Sequence, residues 1–253
     1  MIRQKVLVID IETAPILAYV WDTRDQNIAV NQIVKDWSVI AWSAKWLGGK
    51  QQVYYDARAS KDVSDDKALL QPIWDLLDTA DIVIGQNSKG FDTGKLNARF
   101  MKHGMKPPSP YRHLDTYLIA KNSGKFTKNS LEYLAEYLGC KHTKLKHSKF
   151  PGQELWNECL KGNKAAWDEM KRYNINDVLV AEDIYEKLKA WVPDNAPDVY
   201  AGEAAQGCRV CGGKTQRRGS VMSRTGAKPR FHCQQCGRWQ NGRTLRRIGG
   251  NND

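Results

Sequence analysis

The sequence predicts an α/β protein, in which helices flank a mixed sheet, followed by a small cysteine-rich module. Two observations support this division. Short apolar runs rich in Val and Ile alternate with helical stretches over about the first 190 residues. Four of the six cysteines and most of the excess positive charge lie instead in residues 201–253.

The elements of the first part follow in a regular order. Residues 5–11 form a nearly continuous apolar run, as expected of a central strand buried on both faces. Residues 37–46 and 52–56 are predicted to form a hairpin around Gly48 and Gly49. Further strands are predicted at 81–85 and 113–116, and helices at 64–79, 92–103, 129–139 and 164–191.

The charge is unevenly distributed along the chain. The formal net charge is +11, and residues 201–253 hold +9 of it, because nine Arg and two Lys face only Glu203 and Asp253 there. A polyanion is the expected partner of such a segment, and a solvated tail is the alternative. With 41% hydrophobic and 26% charged residues, the chain is predicted to be neither disordered nor membrane-embedded. Since no signal peptide is visible, we expect a cytoplasmic protein in a prokaryotic or viral-host cytosol.

The cysteines of the second part form two pairs, Cys208-x2-Cys211 and Cys233-x2-Cys236, each followed by Gly. This spacing resembles a zinc ribbon, in which four thiolates hold one structural Zn²⁺. Disulfides are the competing interpretation, but cytosolic thiols stay reduced. His232 could replace one ligand. Cys140 and Cys159 are predicted to be small buried hydrophobes.

The stretch between the two parts contains Pro193, Pro197 and Gly202 among small residues. This composition is typical of a linker. We therefore predict a first domain at 1–191, a linker at 192–206, and a cysteine module with a basic tail at 207–253.

Acidic residues lie at the ends of the predicted elements. Asp10 and Glu12 are two apart on the first strand, so they project from the same face, and their mutual repulsion favours a divalent cation. Asp92 follows the 81–85 strand, where it could instead be a helix N-cap. Tyr173 and Asp177 are four apart on the last helix; the alternatives are a core aromatic and a surface ion pair with Lys171.

Together these residues carry a family resemblance. The ordered motifs DIET (10–13), N-x3-F-D (87–92) and Y-x3-D-V (173–178) resemble those of the DEDD 3′-to-5′ exonucleases, in the subclass whose last motif contains Tyr. The His subclass would need His at position 172, which is Arg. Residues 130–139 resemble a helix found between the second and third motifs. Tyr111 and Asp115 repeat the Y-x3-D spacing, but prolines precede them, and Asp115 is predicted to end a strand and to support the site indirectly.

The resemblance implies an RNase H-like fold, similar to the proofreading domains of B-family DNA polymerases, and two Mg²⁺ or Mn²⁺ ions. Asp10 would bridge the two ions. Glu12 and Asp177 would help bind the ion that activates water, and Asp92 would support the second. Tyr173 would orient the water without ionising, since its ordinary pKa is near 10.

Substrate contacts are expected beside the motifs and in the basic module. Near the first two motifs the candidates are Thr13, Asn87, Lys89 and Phe91. Residues 141–149 carry four Lys and two His without an acid, which predicts either a solvated loop or a strand-guiding patch. In the module, phosphate contacts are expected from Arg217, Arg218, Arg224, Arg230, Arg238, Arg243, Arg246 and Arg247, and base stacking from Phe231 and Trp239.

The sequence therefore predicts a metal-dependent 3′-to-5′ exonuclease that releases nucleoside monophosphates from single-stranded DNA or DNA 3′ ends, with a zinc ribbon assisting binding. It would act alone in repair or end-trimming, or assist a DNA polymerase in trans. The alternatives are an RNA 3′-exonuclease of the same fold and a non-catalytic nucleic-acid-binding adaptor. The complete acidic set argues against the adaptor.

Overall fold

The computed structural model describes residues 1–25, 27–224 and 226–245. Arg246 and Arg247, two of the expected phosphate contacts, lie outside the described residues. The strands are β1 (Ile2–Arg3), β2 (Val6–Thr13), β3 (Leu17–Ala18), β4 (Ile33–Lys35), β5 (Val39–Trp46), β6 (Gln52–Asp56), β7 (Ile82–Gly85), β8 (Arg112–Asp115), β9 (Tyr200–Ala201), β10 (Thr215–Ser223), β11 (Gly226–Cys233) and β12 (Trp239–Asn241).

The helices are α1 (Lys67–Thr79), α2 (Asp92–Lys102), α3 (Thr116–Ser123), α4 (Leu131–Tyr137), α5 (Glu154–Leu160) and α6 (Lys164–Leu188), and short 3₁₀ helices lie at Val30–Gln32 and Lys189–Trp191. Within the described ranges, no helix combines the length and apolar character needed to cross a bilayer.

The core of the fold is a five-stranded mixed sheet in the order β6-β5-β2-β7-β8. β2 is central, antiparallel to β5 and parallel to β7, and β8 continues the parallel half. The predicted hairpin is confirmed as β5 and β6. Because β2, β7 and β8 run in one direction, their carboxyl ends meet at one edge of the sheet.

Side chains of β2 alternate between two packed faces. Leu7, Ile9 and Ile11 join the core under α1, α2 and α5, whereas Val6 and Val8 join the core under α3, α4 and the second half of α6. Asp10 and Glu12 are an even number of residues from Val6 and Val8, so their side chains lie on the same face of β2, which faces α6. The predicted placement of both carboxylates on one side of the strand follows from this alternation.

Several elements differ from the sequence-based expectation. Helices α3 and α5 were not predicted. Thr116, expected to end a strand, begins α3, because the Asp115 carboxylate caps the helix by accepting bonds from the backbone N–H groups of Tyr117 and Leu118. Asp115 itself ends β8, as predicted.

The cysteine module is a three-stranded antiparallel sheet of β10, β11 and β12. The segment before it is closely packed. Val192 and Val199 are buried with the second core, and β9 pairs with β1. The boundaries of 192–206 as a linker remain a prediction, but this stretch contacts both flanking parts.

Two residues expected to contact nucleic acid are buried in the structure. Arg238 is only 5% exposed, and its guanidinium donates to the carbonyls of Val192 and Pro193. Phe231 is also buried. Both side chains therefore stabilise the module and its attachment, which corrects the expectation that they face a nucleic-acid strand.

Candidate active site

Two of the predicted carboxylates come from the last residues of β2. The pairing of β2 with β5 shifts register between Glu12 and Thr13, as at a β-bulge. Bulges re-aim side chains and are common beside functional sites. Here the shift falls directly at the acidic end of the strand.

The third carboxylate belongs to the first turn of α2. Asp92 is buried, and its Oδ1 accepts a hydrogen bond from the backbone N–H of Ile11 at 3.0 Å. Phe91, not Asp92, occupies the N-cap position of α2. The Asp92 side chain thus joins α2 to β2 and is held beside Asp10 and Glu12.

The last helix, α6, places Tyr173, Asn174 and Asp177 against β2. The Asn174 side-chain amide donates to Oδ2 of Asp10 at 2.6 Å and to its carbonyl oxygen at 3.2 Å. The Ser43 hydroxyl on β5 donates to the Asn174 carbonyl at 2.9 Å. Asn174 was not among the predicted site residues, although it lies within the third motif.

A lysine reaches this acidic cluster from the loop between α4 and α5. Lys144 Nζ donates to Asp177 Oδ2 at 2.8 Å and lies 4.7 Å from the centre of the Tyr173 ring. Burial opposes the charge on Lys144, but Asp177 and Tyr173 outweigh it and raise its pKa. The basic run at 141–149 signalled a cationic loop, but sequence could not show that one of its lysines enters the site.

Aromatic rings form one wall of the cluster. The indole N–H of Trp156 on α5 donates to Glu12 Oε2 at 3.0 Å. Trp156 meets the Tyr173 ring edge to face at 6.0 Å, and His147 meets it at 5.3 Å. Trp156 therefore orients Glu12 and packs against Tyr173, a role that no sequence motif indicated.

All four carboxyls have raised pKa values, and burial is the largest cause at each. Burial raises the pKa of Asp10 well above its ordinary value, and Asp177, Glu12 and Asp92 raise it further. Burial and Asp177 raise the pKa of Glu12 to about 8. Burial raises the pKa of Asp92 to about 7 against the opposing bond from Ile11.

Burial also affects the two titratable side chains that α6 contributes to the cluster. It raises the pKa of Asp177 although Lys144 opposes the shift. Burial and Asp177 together raise the pKa of Tyr173 above its ordinary value, so the phenol stays protonated. The cluster thus retains protons near neutral pH, because its own residues do not neutralise four ionised carboxylates.

This cluster fits a divalent cation. Among the described residues, Asp177 pairs with the Lys144 ammonium through Oδ2, while its Oδ1 is buried without a hydrogen-bond partner. Carboxylate oxygens are the ligands that Mg²⁺ and Mn²⁺ prefer. Asp10, Glu12, Asp92 and Asp177 are therefore the residues that could hold such ions.

The four module cysteines form a tighter group. Their sulfurs all lie within 4.8 Å of one another, an arrangement compatible with a zinc ribbon. Among the described residues, they form the group of potential metal ligands that meets this spacing. Gly212 and Gly237, which follow the two pairs, have φ of +74° and +77°, the left-handed turn that favours glycine.

The sulfurs also receive backbone donors. The N–H groups of Gln235 and Cys236 point at Cys233 Sγ at 3.4 and 3.5 Å. The contact with Cys236 is the main cause that lowers the pKa of Cys208 to about 4. His232 is not a member of the group and packs against the Trp239 ring instead.

The candidate substrate contacts lie in two separate places. Asn87, Lys89 and Phe91 are exposed on the loop leading to Asp92, and Thr13 is half-buried at the end of β2. In the module, the exposed candidates are Arg217, Arg218, Arg224, Arg230, Arg243 and Trp239. Arg230 lies 5.5 Å from the Trp239 ring.

Comparison with known proteins bears on the nuclease domain. A protein-family profile of the RNase H superfamily matches residues 36–189. The match includes Asp92, Tyr173 and Asp177, and begins after Asp10 and Glu12. No curated protein matches the chain. The profile covers more than half of the sequence and agrees with the mixed sheet and flanking helices, so the chain belongs to the RNase H superfamily and carries an RNase H-like nuclease domain.

Proposed function

We propose that the protein is a two-metal-ion 3′-to-5′ exonuclease that hydrolyses DNA from its 3′ end and releases nucleoside monophosphates. One observation carries this proposal: carboxylates from β2, α2 and α6 converge beside Tyr173, and the Lys144 ammonium contacts Asp177. When its carboxyls are ionised, such a buried cluster repels a phosphodiester unless cations neutralise it.

The residues would divide the work as follows. Asp10, Glu12, Asp92 and Asp177 would hold Mg²⁺ or Mn²⁺, which when bound would activate water and stabilise the charge of the attacking and leaving oxygens. Asn174 fixes Asp10, Trp156 fixes Glu12, and the Ile11 amide fixes Asp92. These bonds hold three of the four carboxylates in place before substrate binds.

Tyr173 would position the attacking water through its neutral hydroxyl. Its ring packs edge to face against Trp156 and His147, which also contact each other, so the hydroxyl direction is restricted. Because its pKa is raised, Tyr173 donates or accepts a hydrogen bond and does not act as a charged base. Lys144 lies close enough to respond to charge changes at Asp177.

The decisive assay follows a 5′-labelled single strand with Mg²⁺. We expect a ladder that shortens from the 3′ end, abolished by Asp10→Ala and slowed without being abolished by Tyr173→Phe. Asp75→Ala, a surface change on α1, is the control. Binding without a ladder would support an adaptor, and equal activity in Asp10→Ala would show that the site lies elsewhere.

The preference for DNA rests on the resemblance of the motifs to polymerase proofreading domains. Carboxylate-held metals do not by themselves distinguish the two sugars. Matched DNA and RNA strands of one sequence therefore form the two arms of the assay, and faster RNA cleavage would replace DNA by RNA as the substrate.

The module is proposed to hold one Zn²⁺ and to bind the same strand. Arg217 and Arg218 are exposed on β10 and offer phosphate contacts. Replacing both by Ala should weaken strand binding and reduce the slope of log Kd against log salt by about 0.7 per lost contact. An unchanged slope would make the module a protein-binding element instead.

A further inference from the structure

A groove outside the acidic cluster runs along β8, the edge strand of the central sheet. It has a volume of about 400 Å³, and the chain segment 193–197 forms its opposite wall. We call it the β8 groove and define it by Lys89, Tyr111, Arg112, His113, Asn122 and Asn195. Its size lies within the range of ligand-binding clefts.

One end of the β8 groove lies against the loop that leads to Asp92. Lys89 lines the groove and belongs to the loop between β7 and Asp92. The backbone N–H groups of Asn87 and Lys89 donate to the Asp115 carboxylate at 2.9 and 3.1 Å. The end of β8 is thereby fixed to the loop that carries the second motif.

The other wall is fixed to the cysteine module. The Asn195 carbonyl accepts a bond from Arg112 across the groove at 3.4 Å. Its neighbour Asp194 accepts bonds from Arg238 at 3.4 Å and from Asn241 at 3.2 Å, both in the module. The groove therefore lies between the loop that leads to Asp92 and the segment that is bonded to the module.

The chemistry of the groove suits a single strand. Lys89 and Arg112 are exposed cations, and the rings of Tyr111 and His113 lie 5.3 Å apart, edge to face. Among the described residues, His113 Nδ1 is buried without a hydrogen-bond partner. Asp115 also lines the groove, where it is buried and accepts bonds from the backbone N–H groups of Asn87, Lys89 and Tyr117. Proteins bind single strands with cations that contact the phosphates and with nearby aromatic rings that stack on the bases.

We propose that the β8 groove binds single-stranded nucleic acid and guides the strand between the module and the active site. This inference rests on the proposed function, which places the 3′ end at the carboxylates. The strand on the 5′ side of that end would then lie in the groove, so the groove would contribute to long substrates only.

The test compares Arg112→Glu with Lys67→Glu, an equal charge reversal at an exposed position on α1. The substrates are a trinucleotide and a strand of about 15 nucleotides. We expect Arg112→Glu to lower kcat/KM about tenfold for the long strand and to reduce the salt slope by about 0.7, with the trinucleotide rate unchanged. Arg112→Gln retains a donor for the Asn195 carbonyl and should show a smaller loss, so the comparison does not depend on one variant folding.

Binding measured by fluorescence anisotropy in an Asp10→Asn background separates the two proposals. If the wild-type protein cuts no strand, the proposed function fails, and weaker binding by Arg112→Glu than by Lys67→Glu still supports the groove. Equal affinities and equal long-strand rates for the two variants would overturn the proposal that the groove binds nucleic acid. The β8 edge would then be a surface for pairing with a strand of another protein.

Discussion

The molecule contains two clusters of anionic ligands that differ in how they control charge. The four cysteine sulfurs lie within 4.8 Å of one another and receive backbone N–H groups from their own turns. The four carboxylates come from three separate elements, are spaced more widely, and have raised pKa values. The spacing of the first cluster is compatible with one enclosed ion, whereas the second is proposed to hold cations together with water and substrate.

The difference teaches that the cysteine cluster needs far less long-range packing than the carboxylate cluster. In the module, each Cys-x2-Cys turn places two sulfurs, and the pairing of β10 with β11 brings the two turns together. In the nuclease domain, β2, α2 and α6 must pack correctly before any pair of motifs meets. Variants that disturb one cluster and spare the other should therefore separate catalysis from module folding.

The largest expected effect is the loss of cleavage when one of the four carboxylates is replaced. Asp177→Asn should lower cleavage by about 1,000-fold or more, because it removes a charge that is proposed to hold the catalytic cations. Zinc content, measured by atomic absorption, should not change. Asp168→Asn, on the first half of α6, is the matched control. Cleavage within a few fold of wild type would exclude Asp177 from the metal site.

The reciprocal change breaks the thiol cluster. Cys236→Ser should release zinc and unfold the module, because structural Zn²⁺ contributes roughly 10 kcal/mol to such folds. Trinucleotide cleavage should stay within about threefold, as expected for distant sites. The control is Cys140→Ser, a half-buried cysteine outside the cluster. Full zinc retention by Cys236→Ser would contradict the four-thiolate site.

A smaller effect, on the Mg²⁺ requirement, is expected when a residue that orients a proposed metal ligand is replaced. Trp156→Phe keeps an aromatic ring beside Tyr173 but removes the N–H bond to Glu12. The Mg²⁺ concentration for half-maximal cleavage should rise about tenfold, as for other residues that orient metal ligands. Trp191→Phe, an exposed indole, serves as control. An unchanged Mg²⁺ requirement would limit Trp156 to packing.

The smallest effect is on stability as a function of pH. The pKa of Glu12 is about 8 and that of Asp92 about 7, above the unfolded carboxyl values of about 4. Between about pH 4 and pH 8 the native state thus binds more protons than the unfolded state, so these groups destabilise the Mg²⁺-free protein as pH rises.

Mg²⁺ should offset this loss when the carboxyls ionise. The Mg²⁺-induced increase in Tm should be larger at about pH 8 than at about pH 5, by a few degrees or about 1 kcal/mol. Taking the difference at each pH removes the contribution of the zinc module. Glu12→Gln should flatten the dependence, and a larger increase at low pH would have the wrong sign for this cluster.

Much of the fold was predictable because it follows local periodicity. The buried strand at Val6–Thr13, the hairpin of β5 and β6, and the long helix α6 all have patterns that span the whole element. Helices α3 and α5 are short, at eight and seven residues, and a side-chain cap from Asp115 decides where α3 begins. Such short elements depend on packing and capping more than on their own pattern.

The parts of the site that could be predicted are those whose residues lie on one strand or helix. The spacing along the sequence predicted that Asp10 lies beside Glu12 and Tyr173 beside Asp177. Lys144 and Trp156 were missed because each approaches from a different loop or helix. Arg238 was misjudged because composition does not distinguish an exposed arginine from one whose guanidinium is buried against backbone carbonyls.

The sequence by itself determined which ligand types the protein carries and their local spacing: carboxylates two apart on a strand, a Tyr and an Asp four apart on a helix, and paired cysteines in tight turns. These spacings follow from the geometry of single elements. Only the tertiary structure decided that Asp92 meets Ile11, that Lys144 meets Asp177, and that Arg238 joins the module to Val192. Such contacts depend on packing between segments far apart in the chain, which no local pattern encodes.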